Sequence, residues 1–235
     1  MDRLTGQARA EELAANLAEV EERIGTACSA AGRDRAEVTL VVVTKTWPAS
    51  DAEMLRDLGV RDLAENRDRE AREKSAAVGG VRWHFVGAIQ TNKARSVASY
   101  AAIVHSVDRA SLVAALSAGA VRASRSLDVL VQVSLDGDPA RGGVLPAGLL
   151  ELADLVGRSK GLVIKGLMAV APLAQDPAAS FGRLRVLAGG LRAVHPSADI
   201  ISAGMSGDLE AAIVAGATHV RVGTAVLGPR SGTLG

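Results

Sequence analysis

The chain has 235 residues, Lys+Arg 27 against Asp+Glu 26, a formal charge of +1 and only 2% aromatic residues, a balance without a basic block or stacking rings from which no nucleic-acid partner is expected. The single cysteine, Cys28, leaves no internal disulfide and fits a reducing, cytoplasmic setting. No apolar run reaches membrane-spanning length and the first residues carry no cleavable apolar leader, so neither insertion nor export is expected.

Leu13, Leu17, Val20, Ile24 and Ala27 recur at helical spacing within residues 4–31, and Gly32 is placed to end that helix. Residues 38–45, Val-Thr-Leu-Val-Val-Val-Thr-Lys, read as a strand buried on both faces that ends at Lys45. Pro48 stops it, and Ser50, Asp51 and Glu53 supply a cap and an acidic first turn for a helix over 50–58. A short strand over 60–64 leads to Glu65 and Asn66. Residues 67–77 then read as a solvated helix, charged on most faces, closed by Gly79 and Gly80.

Strands are predicted over 81–87, 101–107 and 127–135, with Asp108 capping a helix that runs to Gly119. Residues 136–143 are the most turn-rich of the chain and read as an exposed, mobile loop. Beyond it come a helix from Pro146 to near Gly157, a strand over 162–170, a helix over 177–194, a strand over 199–202, a helix over 208–215 and a strand over 218–222. Eight strands alternating with helices predict a single (β/α)8 barrel of TIM type with an extra N-terminal helix, one domain over residues 1–230 with a frayed tail at 231–235. An open doubly wound sheet is the competing architecture, because periodicity counts strands without fixing closure.

In a barrel the carboxyl ends of the strands gather at one face, which makes Lys45, Asn66, His84, Gly87, Ser106, Met168, Ser202 to Ser206, Gly223 and Thr224 site candidates. A lysine whose stem lies against Val and Leu is a candidate nucleophilic amine, although strand-end lysines ordinarily snorkel to water. The Ser202–Ser206 turn and the Arg221-Val-Gly223-Thr224 segment fall in the loops after strands seven and eight, where free backbone amides of barrels bind phosphate. Taken singly, Ser206 reads as a helix cap and Gly223 as a turn. A lysine facing a phosphate cradle suggests a phosphorylated aldehyde or ketone held as a Schiff base, either pyridoxal 5′-phosphate (PLP) or a sugar phosphate. His84, His105, His195 and His219 lack metal-ligand spacing and no metal is assigned; no Gly-x-Ser-x-Gly, Walker or dinucleotide motif occurs.

Several stretches occur together in one order: Val-Val-Thr-Lys45-Thr, Ala-Glu65-Asn66, Trp83-His-Phe-Val-Gly-Ala-Ile-Gln-Thr-Asn-Lys93, His105-Ser106-Val-Asp108, Gly166-Leu-Met168-Ala, Gly204-Met-Ser206-Gly-Asp-Leu-Glu and Val-Arg221-Val-Gly223-Thr224. With these the chain resembles the pyridoxal phosphate homeostasis protein family over nearly its whole length. The resemblance implies a fold-type III PLP barrel similar to the N-terminal domain of alanine racemase. It implies that Lys45 forms the Schiff base, that the loops of Ser206 and Gly223-Thr224 hold the phosphate, and that Arg221 faces the pyridine nitrogen. Asn66 is then expected near the cofactor, with His84, Ser106, Met168 and Ser202 as further pocket residues. Two positions depart from the family pattern. Arg67 stands where an aromatic is common, and Arg141 replaces a loop lysine; an arginine cannot form a Schiff base, so a hand-over of PLP through that lysine is not available.

An arginine at the ring nitrogen disfavours its protonation and makes the ring a poorer electron sink. A two-base racemase also needs an acid/base opposite the lysine, and the one tyrosine, Tyr100, precedes the fourth strand. The leading expectation is therefore a monomeric PLP carrier or buffer for intracellular vitamin B6 homeostasis, without robust catalytic activity, whose partners are PLP and PLP-requiring apo-enzymes. A racemase-type PLP enzyme and a Schiff-base aldolase acting on a sugar phosphate are the alternatives.

Overall fold

Val41 and Val42 are both wholly buried although consecutive strand residues point to opposite faces, which requires a sheet covered on both sides. The computed structural model describes residues 3–229; the expected frayed tail at 231–235 lies outside them. Eight parallel strands form a closed barrel: β1 (Thr39–Val43), β2 (Asp62–Glu65), β3 (Arg82–Phe85), β4 (Ile103–Val107), β5 (Leu127–Gln132), β6 (Leu162–Met168), β7 (Ile200–Ser202) and β8 (His219–Val222). Val42 sits opposite Leu63 of β2 on one side and Val222 of β8 on the other, so the sheet has no edge and the open-sheet alternative is ruled out.

Nine helices are described: α1 (Arg3–Ala30), α2 (Ala49–Asp57), α3 (Asp68–Ala77), α4 (Ala94–Tyr100), α5 (Ala110–Arg122), α6 (Leu149–Arg158), α7 (Pro177–Val194), α8 (Leu209–Val214) and α9 (Thr224–Leu227). One apolar cluster joins Leu112, Leu116, Leu127, Leu184 and Leu191 between α5, α7 and the sheet. A second joins Leu13, Val20 and Ile24 of α1 to Val42, Val220 and Leu227. Each such side chain contributes about 1.5–3 kcal/mol by leaving water. The extra helix α1 is also tied to the last turns of the fold, because Arg23 Nη2 donates to Ser206 O at 2.9 Å, Asn16 Nδ2 to Val226 O at 3.0 Å and Arg9 Nη2 to Leu227 O at 3.0 Å.

Several predicted details are corrected. Helix α2 begins at Ala49 after Pro48 and no side chain caps it; Asp51 is instead buried and ion-paired with Arg9 Nη2 at 2.7 Å. Asp108 does not cap α5: Arg109 occupies the cap position without a side-chain bond, and Asp108 pairs with Arg109 Nη1 at 2.7 Å. Gly119 lies inside α5, where an added Cβ would come within 2.9 Å of Ala98 Cβ, so its role is close packing of α5 on α4. Helix α3 is not wholly solvated, since Lys74 is buried with only 5% of its surface exposed. Residues 136–143 contain a 3-10 turn at Pro139–Arg141, with Arg141 paired to Asp136.

Gly166 in β6 sets the approach of β6 to β7. Its φ is 147°, and an added Cβ would lie 1.9 Å from Ile200 O, which only glycine avoids. On the next connection, Asp176 accepts from the amides of Ala178 and Ala179 and Pro177 opens α7. Asp176→Ala is expected to lower stability by about 1 kcal/mol, read as an earlier midpoint in a urea titration with unchanged slope.

Candidate cofactor site

Strands β1, β7 and β8 end around a cavity of about 250 Å³ lined by Val43, Lys45, Trp47, Met205, Ser206, Gly207, Arg221, Gly223, Thr224 and Gly228. Five of the predicted residues thus meet in one place: Lys45, Ser206, Arg221, Gly223 and Thr224. A larger cavity of about 720 Å³ opens at the start of β7 and β8, but it contains no lysine and mixes Glu37 and Asp199 with Arg33, Arg185 and Arg192. The chemistry of a strand-end amine belongs to the smaller one.

Lys45 is presented on a turn two residues past β1, and both neighbours are held from behind. Thr44 Oγ1 donates to Glu65 Oε1 at 2.6 Å, while Lys74 Nζ donates to the same oxygen at 2.6 Å and to Thr44 O at 2.7 Å. On the other side the Thr46 amide donates to Glu70 Oε2 at 2.8 Å. Burial pushes the Glu65 carboxyl pKa up, opposed by the bonds from Lys74 and Thr44. Thr46 has φ 71°, a left-handed conformation that costs a β-branched residue. Because Thr46 is exposed, Thr46→Gly is expected to raise stability by about 0.5–1 kcal/mol, measurable as a later thermal midpoint.

Arg221, only 5% exposed, forms the floor. Its Nη1 donates to Ser202 Oγ at 2.6 Å and its Nη2 to Ala169 O at 3.0 Å. Burial lowers its pKa to about 10, against the pull of Asp208, so it remains a cation at neutral pH. On the far wall Ser206 Oγ accepts from the Ala225 amide at 3.3 Å and so joins the loop after β7 to the one after β8. Ser206 does not cap α8; Asp208 precedes that helix and accepts from the Met205 amide at 2.6 Å. A Cβ at Gly223 would sit 3.2 Å from Val43 O, so glycine keeps this wall close to β1.

The remaining candidates lie elsewhere. Asn66 is outside the lining, and its Oδ1 is buried without a hydrogen-bond partner among the described residues; its backbone fits against Gly87, where a Cβ would be 2.2 Å from Asn66 O. Ser106 Oγ donates to Gly87 O at 2.6 Å. Met168 packs with Ile103 and Leu130 inside the barrel, and Ser202 lies beneath Arg221. His84 is buried deeper, bonded to Asp62 and His105. Arg67 is exposed beside Glu70 at 3.6 Å, and Arg141 is held by Asp136 and Asp138 away from the cavity. Met205 falls within the Ser202 to Ser206 candidates, whereas Trp47 was not singled out by sequence; it is two residues from Lys45 and packed under Arg9 at 4.5 Å.

The residues that line the cavity fit PLP: an amine for the aldehyde, a buried cation, and a hydroxyl and glycine-rich loops for a phosphate. The alanine racemase N-terminal domain family matches residues 11–231. The pyridoxal phosphate homeostasis protein of Mycobacterium tuberculosis is 44% identical over 243 residues, covering 94% of each chain. The chain belongs to the pyridoxal phosphate homeostasis protein family. The family member of Escherichia coli is 37% identical over 227 residues, 93% of this chain and 97% of that one. Within solved structures, PipY of Synechococcus elongatus with PLP bound superposes with a TM-score of 0.81 at 31% identity, covering 92% of this chain and 100% of PipY. Alanine racemase of Streptomyces coelicolor shares the fold, with a TM-score of 0.74 at 17% identity, over 92% of this chain and 58% of the racemase.

Proposed function

We propose that this member of the family binds PLP as a Schiff base on Lys45 and acts as an intracellular carrier or buffer of the cofactor, without robust catalytic activity. The observation that carries the reading is the convergence of Lys45, Arg221, Ser206 and the Gly223-Thr224 turn on one cavity. When bound, PLP supplies an aldehyde that condenses reversibly with a primary amine, releasing water. Lys45 would provide the amine, Ser206 with the backbone of Gly207, Gly223 and Thr224 would hold the phosphate, and Arg221 would face the pyridine nitrogen and disfavour its protonation.

The lining supports a carrier. Among the described residues it contains no Tyr, Cys, His, Asp or Glu to serve as a second acid/base opposite Lys45. Tyr100 donates its hydroxyl to Asp68 at 3.2 Å, and burial followed by the Asp68 charge pushes its pKa far up, so it is no ready base. A cytoplasmic monomer that serves PLP-requiring apo-enzymes is part of the same proposal. No helix among the described residues is long and apolar enough to cross a membrane.

The test is to load the protein with PLP, isolate the complex and mix it with a PLP-requiring apo-enzyme. Reactivation by the loaded protein and negligible turnover of D- or L-amino acids is the expected result. Amino-acid turnover at rates typical of racemases would overturn the carrier reading, and a protein that ignores PLP but reacts with sugar phosphates would favour an aldolase.

A further inference from the structure

Beneath the cavity the barrel interior carries a continuous hydrogen-bonded chain that binding of a cofactor does not itself require. Arg221 Nη1 donates to Ser202 Oγ at 2.6 Å, and Ser202 Oγ lies 2.9 Å from His105 Nδ1. His105 Nε2 is 2.8 Å from His84 Nδ1, and His84 Nε2 is 2.8 Å from Asp62 Oδ1. Arg82 Nη2 closes the series on Asp62 Oδ2 at 2.8 Å. Ser202, His105 and His84 are at most 1% exposed. The chain crosses from β8 and β7 to β4, β3 and β2, from the cavity floor to the first residue of β2 at the opposite end of the barrel.

The two ends fix its direction. A guanidinium can only donate and an ionised carboxylate can only accept. Burial raises the Asp62 pKa, but the bonds from His84 and Arg82 outweigh it and the net shift is downward, so Asp62 is ionised at neutral pH. Ser202 Oγ, accepting from Arg221, turns its own proton to His105 Nδ1. His105 then carries its proton on Nε2 and donates to His84 Nδ1, and His84 carries its proton on Nε2 and donates to Asp62. The opposite order would set a bare His84 Nε2 against the carboxylate. A doubly protonated His84 would satisfy Asp62 too, but it would bury a further cation, only 1% exposed, on a carboxylate already ion-paired with Arg82. Burial foremost, then the neighbouring His84, Arg221 and His219, holds the His105 pKa well below its usual value, and His219, 6.3 Å from the His84 ring, is pushed down to about 4. The interior histidines His105 and His219 thus stay neutral at physiological pH.

We propose that Asp62 is a positioning residue for the cofactor site: it locks His84 and His105 as Nε2–H tautomers, which commits the Ser202 hydroxyl to His105 and its lone pair to Arg221, and so fixes the guanidinium at the cavity floor. The bearing on PLP rests on the role given to Arg221 above; the tautomers do not.

The test is a long-range proton–nitrogen correlation spectrum of protein labelled with 15N-histidine, recorded at neutral pH without PLP. Both His84 and His105 are expected as neutral Nε2–H rings. Asp62→Asn keeps an acceptor oxygen for His84 and is expected to preserve both signatures. Asp62→Leu removes it, so His105 is expected to lose its single tautomer and PLP affinity to fall about tenfold, while borohydride still traps PLP on Lys45. An Nδ1–H ring at either position, or a doubly protonated His84, in the unmutated protein would overturn the inference even if the leucine variant does not fold. An unchanged His105 spectrum in a folded leucine variant would overturn it as well. Correct tautomers in a protein that fails to bind PLP would sink the functional reading alone, and PLP on Lys45 with the wrong tautomers would sink this inference alone.

Discussion

Lys45→Ala is expected to abolish the visible absorption band that PLP acquires on the protein and to weaken PLP binding by about 100-fold or more in equilibrium dialysis. The alanine removes the one amine that lines the cavity among the described residues, while in the proposed site Arg221, Ser206 and the Gly223-Thr224 turn would remain to hold the phosphate and ring by charge and hydrogen bonds. Residual weak binding without the band is therefore the expected outcome. Lys45→Arg separates charge from covalency, because a guanidinium keeps the cation and cannot form a Schiff base; it too is expected to lack the band. A band that persists in either variant would place the covalent bond on another amine.

The largest effect on stability is expected from Lys74→Ala. Lys74 Nζ is the cation on Glu65 Oε1 at 2.6 Å, and the Glu65 side chain has no exposed surface, so removing the lysine leaves a buried carboxylate without its partner. Breaking such a pair from one side costs about 3–5 kcal/mol. The Glu65 pKa, already raised by burial, rises further once the Lys74 bond is gone. In the window between the ordinary glutamate pKa and this raised value, the folded state binds a proton that the unfolded state has released. Stability of the variant therefore falls as pH rises through that window and recovers as pH is lowered toward the ordinary value. Urea midpoints measured from pH 4.5 upward check the sign. The pair Lys74→Met with Glu65→Leu, which removes both charges, is expected to regain most of the loss. Because Lys74 Nζ holds the carbonyl of Thr44, the residue before Lys45, and Thr44 Oγ1 donates to Glu65, the single variant is also expected to bind PLP more weakly than the unmutated protein.

The barrel was legible because β1, β5 and β6 are rich in aliphatic residues and the stretches between strands carry proline, glycine or acidic turns, and α7 (Pro177–Val194) was readable to the residue from its Asp-Pro start and its His-Pro end. Lys45 was legible for the same reason: a charged residue ending a Val-rich run has few structural duties. Helix α9 was not, since four residues carry no periodicity, and its amide of Ala225 finds Ser206 only through the fold. Lys74 looked like one more solvated charge on a charged helix, because its partner Glu65 lies on the preceding strand. The polar interior was hidden more deeply. Asp62, His84, His105 and Ser202 stand one per strand on strands of three to five residues, too short for alternation to reveal which side faces in. A carboxylate at the start of a buried strand, Asp62, was the one local sign that the interior carries more than aliphatic side chains.

Two constraints meet at the site. Helix α1, a feature outside the eightfold repeat, holds the loop of Ser206 through Arg23 and the turn of α9 through Asn16, so this wall of the cavity is braced from outside the barrel. Thr44, Glu65, Lys74 and Glu70 brace the lysine side. Between them no Tyr, Cys, His, Asp or Glu lines the cavity among the described residues.

The most direct measurement is to incubate the protein with PLP, reduce with borohydride and map the modified peptide by mass spectrometry. The account predicts one stable adduct, on Lys45, with Lys74, Lys93, Lys160 and Lys165 unmodified at stoichiometric PLP. An adduct distributed over those lysines, or none on Lys45, would contradict it.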